Sequence, residues 1–127
     1  MTFLFDLSIG IAIPRALQLL RLTVDITYHD EQFAPDEADD VWLPKAGASG
    51  WFVIGHDYYH VKPNELAAIQ QYAIGCFYLW GAEATKWETM RVFARAYDRI
   101  VRAAEETARP FAYNVHRNGT LAEVFLS

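Results

Sequence analysis

The sequence predicts an α/β fold of three layers, with a mainly parallel central sheet and a C-terminal β-hairpin. Short apolar runs of strand length alternate with longer segments of helical periodicity along the 127 residues, as in parallel sheets joined by crossover helices. An Asn-Gly pair at positions 118 and 119 predicts the turn of the hairpin. With 53% hydrophobic residues, the chain is expected to form one globular domain over residues 1–127.

The first half of the chain predicts three strands and two helices. The strands are apolar or β-branched runs at 2–6, 24–28 and 51–55. A first helix is expected from Pro14, with leucines 19 and 20 among the residues that pack on the sheet, because proline is tolerated in a first helical turn. A second is expected from near Asp39. The polar stretch 29–38 is predicted to be a loop whose histidine lies at the surface.

The second half predicts two helices, a strand and the hairpin. A helix opens at Asn64, and the apolar run 74–80 is the fourth strand. A long amphipathic helix is predicted from Thr85 to about Thr107, before Arg109-Pro110. Its expected buried stripe comprises Trp87, Met90, Ala94, Tyr97, Val101 and Ala104. The hairpin follows from residue 111.

Composition limits the classes of function. The net charge is −5, and residues 1–60 carry nine acidic and three basic side chains, a net of −6. Such a chain is not expected to hold a nucleic-acid backbone unaided, although metal ions and a local basic patch could do so. A lone cysteine, Cys76, predicts no disulfide or zinc framework and favours a cytoplasmic setting. No membrane span is expected, since the uncharged stretch 66–82 contains glutamines and a glycine.

Acidic residues follow each of the first three predicted strands: Asp6, Asp30 and Asp57. Ligands of open α/β sheets bind at the carboxyl ends of strands, so these acids are expected to converge. The predicted helix start at Asp39 and Asp40 should face the same edge. Clustered carboxylates repel one another unless a hard cation bridges them. The pattern therefore predicts Mg²⁺ or Mn²⁺ on Asp6, Asp30, Asp57 and one of Asp39 and Asp40. Any one of them alone would more simply be a turn or capping residue.

Substrate contacts are predicted from several further side chains. Tyr58 and Tyr59 are stacking candidates beside Asp57, and Lys62 is the nearest base that follows it in the sequence. Arg95 belongs to a row of arginines at 91, 95, 99 and 102 that would lie along one helix face. The row suits RNA phosphates or an acidic partner, and a solvated face is the alternative interpretation. The four tryptophans are expected mainly in the core.

Four segments resemble the small PIN-like domains of VapC-type toxins: "FLFDLSIG", the stretch from "HDEQF" to "GWFVIGHD", "KPNELAAI" and "RPFAYNVHRNG". The likeness runs in order over nearly the whole chain. It places the family's opening acid on Asp6, its acid pair before Trp-Leu on Asp39 and Asp40, and its acid after the third strand on Asp57. Asp6, Asp39 and Asp57 are the catalytic residues that the resemblance implies.

The resemblance implies an endoribonuclease that needs Mg²⁺ or Mn²⁺, hydrolyses RNA with a metal-activated water and is restrained by a cognate antitoxin. The oligomeric state is left open, with a homodimer as one option. The alternative is a catalytically inactive interaction module. Two departures from the family remove positive charge that could hold RNA phosphate, and they favour a weakened enzyme or one with an unusual substrate. Relatives are rich in Lys and Arg around the third acid, where this chain has only Lys62, and Leu7 stands where a polar or basic residue is usual.

The sequence argues against a phosphate-accepting receiver domain. Asp57 follows the third strand, as the phosphorylated aspartate of such domains does. The acid pair after the first strand, the Ser or Thr after the fourth and the Lys after the fifth are all missing.

Overall fold

A computed structural model describes residues 1–126, and all six of their strands lie in one sheet. The strands are β1 (Thr2–Phe5), β2 (Asp25–Tyr28), β3 (Phe52–Gly55), β4 (Gly75–Leu79), β5 (Phe111–Val115) and β6 (Leu121–Val124). Their order across the sheet is β2-β1-β3-β4-β5-β6. Every neighbouring pair is parallel except β5 with β6, which form the antiparallel hairpin. The predicted fold class is confirmed.

Five helices connect the strands. They are α1 (Ala12–Leu20), α2 (His29–Gln32), α3 (Asp39–Ala48), α4 (Pro63–Gln71) and α5 (Lys86–Glu106). The short helix α2 occupies part of the predicted loop. It turns His29 inward to 1% exposure, with its ring edge-on to Phe33 and Trp42. The expectation that this histidine lies at the surface is therefore wrong, because aromatic packing outweighs the polar character of the segment.

The helices cover both faces of the sheet and produce two hydrophobic cores. Alternate residues of a strand point to opposite faces, so Phe5 of β1 joins one core and Leu4 joins the other. The first core includes Leu17 of α1 and Phe93 of α5. The second includes Leu43 of α3 and, from α4, Ile69. This double burial explains why the central strands read as unbroken apolar runs.

The long helix has the predicted extent, but the face that it turns to the sheet is only partly the predicted one. Its buried residues are Thr89, Val92, Phe93, Ala96, Ile100 and Ala104. Of the predicted stripe, Ala104 is buried, and Met90, Tyr97 and Val101 are partly buried against the first core. Ala94 is exposed, and Trp87 is 69% exposed. On α1, Leu19 and Leu20 are both exposed against expectation.

The order of the strands reverses at β1, and this point locates the site. The chain passes from β1 to β2 on one side and then to β3 on the other. The amide N of Asp6 donates to the carbonyl O of Ile54 at 2.9 Å, so Asp6 leaves the sheet directly beside the end of β3. A crevice outside the carboxyl ends of strands at such a switch point is the usual ligand site of an open α/β sheet.

Among residues 1–126 there is no helix both long enough and apolar enough to span a membrane.

Candidate active site at the carboxyl edge of the sheet

Asp6 is the centre of the site and is only 2% exposed. Its Oδ1 accepts a hydrogen bond from the Ser8 amide N at 2.9 Å and another from the Ser8 hydroxyl. Its Oδ2 accepts from the Tyr59 hydroxyl. Burial raises the pKa of Asp6 from 3.8 to about 6; the bonds from Ser8 and Tyr59 oppose the rise, and the negative charge of Asp57 adds to it. Asp6 is thus a buried carboxylate that remains mostly ionised at neutral pH.

Gly55, the last residue of β3, makes room for the Asp6 carboxylate. A Cβ atom at position 55 would overlap this carboxylate, at 2.7 Å from Oδ1 and closer still to Oδ2. Any larger residue there would push Asp6 out of its place between Ser8 and Tyr59. The "VIGHD" segment therefore combines a glycine that admits one acid with a second acid two residues later.

Tyr59 reaches Asp6 from a single 3-10 turn, Tyr59–Val61, that follows β3. Its side chain is 1% exposed and packs against Trp42 and Tyr78. Burial, followed by the charge of Asp6, raises the pKa of Tyr59 well above 10.0, so the hydroxyl remains a donor at neutral pH. The expectation that Tyr59 offers its ring for base stacking is therefore wrong, because the side chain is buried. Its hydrogen bond to Asp6 was not predicted, and the Tyr-Tyr pair at the strand exit was the only signal in the sequence.

Ser8 ties the exits of three neighbouring strands together. Its hydroxyl oxygen donates to Asp6 and accepts from the His56 amide N at 2.9 Å. The Nδ1 atom of His56 in turn lies 2.9 Å from the carbonyl O of Leu79, at the end of β4. These bonds fix the backbone of the segment that carries Asp57.

The predicted acids lie at different distances from this centre. Asp57 is exposed but close enough for its charge to raise the pKa of Asp6. Asp30 lines the same open cavity as Asp6, with a volume of about 320 Å³. Asp39 lies at the start of α3, as predicted, where its Oδ1 accepts from Trp42 Nε1 at 3.0 Å. Asp40 is exposed, and no contact within residues 1–126 joins it to Asp6.

The donor set fits a hard cation held by few protein ligands. Mg²⁺ usually retains several waters and takes one or two carboxylates together with substrate phosphates. Asp6 and Asp57 supply two such carboxylates, whose mutual repulsion a cation would relieve. No group of three or more His, Cys, Asp or Glu side chains in residues 1–126 is arranged to hold a metal. The ligand roles of Asp6, Asp30, Asp39, Asp40 and Asp57 all stay predictions.

The predicted substrate-binding residues fall into two regions. Tyr58 is 53% exposed beside the site, with its ring 5.2 Å from that of Tyr78. Lys62 Nζ lies 3.9 Å from Asp39 Oδ2. Arg95 lies on α5, where its Nη1 donates to the carbonyl O of Arg117 at 3.2 Å, so it faces the hairpin instead of Asp6.

The strand order and the acids at its switch point define an α/β protein with a carboxylate centre at the carboxyl edge of the sheet. The chain belongs to the PIN-like domain family: residues 1–81 match the sequence model of that domain. Domains of this family are commonly nucleases. The matched part carries all five aspartates of the predicted site, whereas α5 and the hairpin lie beyond it. Comparison with curated proteins and with solved structures found no match.

Proposed function

We propose that this PIN-like protein is a metal-dependent endoribonuclease and the toxin of a type II toxin–antitoxin pair. The observation that carries the proposal is the pairing of Asp6 and Asp57 across the switch point of the sheet. One carboxylate is buried and fixed, and the other is exposed to an incoming ligand. This arrangement suits a hard cation that must also contact a phosphodiester.

The side chains of the site would have different roles in catalysis. Asp6 and Asp57 would hold the cation, with Ser8 and Tyr59 fixing the orientation of the Asp6 carboxylate. Mg²⁺ or Mn²⁺, when bound, supplies charge neutralisation at the phosphodiester and activates a water. Since the pKa of Asp6 is about 6, its carboxylate is available as a ligand at neutral pH.

Substrate RNA would approach over the exposed side chains around Asp57. Tyr58 offers a ring on which a base can stack. Lys62 and Arg95 are proposed phosphate contacts, the first near Asp39 and the second on α5. The cognate antitoxin is proposed as a protein partner in the cytoplasm, and a homodimer as one assembly.

The test is metal-dependent cleavage of RNA by purified protein, with metal binding followed by calorimetry. Wild-type protein should bind Mg²⁺ or Mn²⁺ and cleave RNA, and Asp6→Asn and Asp57→Asn should lose both. Asp25→Asn is the matched control, because Asp25 is exposed at the opposite, amino end of β2. Binding that is unchanged in Asp6→Asn and Asp57→Asn would refute the proposal.

The toxin role is tested separately in cells. Expression should arrest growth, and Asp6→Ala should abolish the arrest. Co-expression of the product of a small gene next to this one should also relieve it if that product is the antitoxin. Cleavage in vitro without growth arrest would support the nuclease but contradict the toxin role.

An inactive interaction module is the second candidate. It is favoured by the exposed apolar and aromatic residues Leu7 and Tyr58, which stand where relatives carry polar or basic side chains. If the protein neither cleaves RNA at any metal concentration nor arrests growth, the inactive module is favoured over the nuclease toxin.

A further inference from the structure

A second polar feature lies at the same edge of the sheet, and all of its lining residues except Trp80 lie outside the part of the chain that matches the family. A cavity of about 90 Å³ is lined by Trp80, Glu88, Arg91, Val92, Arg95 and Arg117. We call the set of Trp80, Arg91, Arg95 and Arg117 the arginine cleft. Three guanidinium groups face one carboxylate there, although the whole chain has a net charge of −5. The cleft is thus a local concentration of positive charge.

The arginines of the cleft are not neutralised by neighbouring acids. None of them takes part in an ion pair among residues 1–126. Arg91 is exposed and also makes no hydrogen bond within that range, so its guanidinium donors are free for a ligand. Unpaired arginines around one cavity are the arrangement that proteins use to bind phosphate groups.

Two of the arginines are held in place before any ligand arrives. The guanidinium carbon of Arg117 lies 4.9 Å from the centre of the Trp80 ring, a cation–π contact. Arg95 donates to the backbone of Arg117, and the hairpin turn packs so closely on α5 that a Cβ at Gly119 would lie 3.0 Å from Arg95 Cβ. Such preorganisation reduces the entropy lost on binding.

The cleft continues the carboxylate site along the edge of the sheet. Trp80 follows β4 directly, and Arg117 comes two residues after β5. Because β3, β4 and β5 are consecutive neighbours, the exits of β4 and β5 lie about 5 and 10 Å from that of β3, which leads to Asp57. A single strand that crosses Asp57 can therefore reach the cleft within a few nucleotides.

We propose that the arginine cleft binds backbone phosphates of single-stranded RNA and leads the strand to Asp6 and Asp57. This proposal rests on the proposed nuclease function. The cavity is small, at about 90 Å³, which suits one phosphate group better than a folded acidic segment. Trp80 acts as a positioning residue for Arg117, since the guanidinium already covers a face of its ring.

The test is RNA binding in EDTA, where metal-dependent cleavage cannot interfere. The probe is a short fluorescein-labelled single-stranded RNA, and anisotropy is measured over a range of KCl concentrations. Arg91→Gln should weaken binding roughly threefold to tenfold and lower the slope of log K against log salt by about 0.7, the value for one single-strand phosphate contact. Arg102→Gln is the matched control, because Arg102 is an exposed arginine of α5 that does not line the cavity.

Further outcomes decide the proposal. The double variant Arg91→Gln, Arg117→Gln should lose about twice as much slope as the single variant. Wild-type affinity and slope in both variants would overturn the proposal, as would a loss of binding to a polyglutamate peptide without a loss of RNA binding. The binding test does not depend on cleavage. If the cleft binds RNA as expected but the separate cleavage assay fails, only the proposed nuclease function is contradicted.

Discussion

Replacing Asp6 by asparagine is expected to stabilise the metal-free protein at neutral pH, although it should remove the proposed activity. The change replaces a buried carboxylate by a neutral amide of the same shape. Its oxygen can still accept from the Ser8 amide, and its NH₂ group can donate to the Tyr59 oxygen. The bonds from Ser8 are thus kept and the contact with Tyr59 is reversed in direction, while the unfavourable burial of charge is removed.

The magnitude follows from the pKa of Asp6 in the folded protein. A rise from 3.8 to about 6, at about 1.4 kcal/mol for each pH unit, corresponds to about 3 kcal/mol. Because the folded pKa is the higher one, this stability is fully present below pH 3.8 and is lost as the pH rises through about 6. Asp6→Asn should therefore exceed the wild type by up to about 3 kcal/mol at pH 7 and by little near pH 4.

The assay is urea unfolding in EDTA, followed by the fluorescence of the four tryptophans at several pH values. Asp25→Asn serves as the control, since this exposed carboxylate lies at the other end of the sheet. An Asp6→Asn variant less stable than wild type at pH 7, or a difference that does not change with pH, would refute the reasoning.

Divalent cations extend the same experiment. A cation that binds the folded state with [L] equal to 100 Kd adds about 2.7 kcal/mol to the free energy of unfolding. Wild-type protein should gain this stability in Mg²⁺ or Mn²⁺, whereas Asp6→Asn should not. If the cation raised the free energy of unfolding equally in the wild type and in Asp6→Asn, Asp6 would not be a ligand of the cation.

Three other predictions concern the surroundings of Asp6. Gly55→Ala should lower the free energy of unfolding by about 2 kcal/mol or more, because the new methyl group overlaps the Asp6 carboxylate; unchanged urea unfolding would contradict this. Tyr59→Phe should raise the pKa of Asp6 above about 6 by removing a hydrogen bond to the charged form. An NMR titration of the carboxyl carbon measures this, with Tyr58→Phe as the control. The Cys76 thiol is fully buried and its pKa is raised by burial, so iodoacetamide should label it only after unfolding; labelling of the native protein would show that it is accessible.

The regular elements could be predicted because their signals are local. The β3 strand is a short apolar run, and the structure buries all four of its residues. The helix α5 begins after Thr85, whose side chain accepts from the Glu88 amide N at 3.1 Å, and it ends shortly before Pro110. Capping residues and proline act within a few positions, so the sequence alone reveals them. Asp6 and Asp57 could be placed at one edge because each follows a strand of a parallel sheet, whose carboxyl ends lie together.

The remaining features depend on contacts between distant parts of the chain. The bond from Tyr59 to Asp6 joins residues 53 positions apart, and nothing local distinguishes Tyr59 from its neighbour Tyr58. Trp80 was expected in the core as an aromatic residue, but it is partly exposed beneath Arg117. Which of two adjacent side chains is buried, and which face of a helix meets a sheet, is decided by packing partners that a single sequence does not identify.

The close fit between Gly55 and the Asp6 carboxylate makes the two positions epistatic. While the carboxylate is present, position 55 admits no side chain. Replacing Asp6 by glycine removes the three atoms nearest to that Cβ, so Gly55→Ala should then be better tolerated. A lineage that loses Asp6 no longer needs glycine at position 55. A single later substitution at position 55 would then prevent the return of aspartate at position 6. Loss of this carboxylate would thus readily become irreversible. This chain still carries both Asp6 and Gly55.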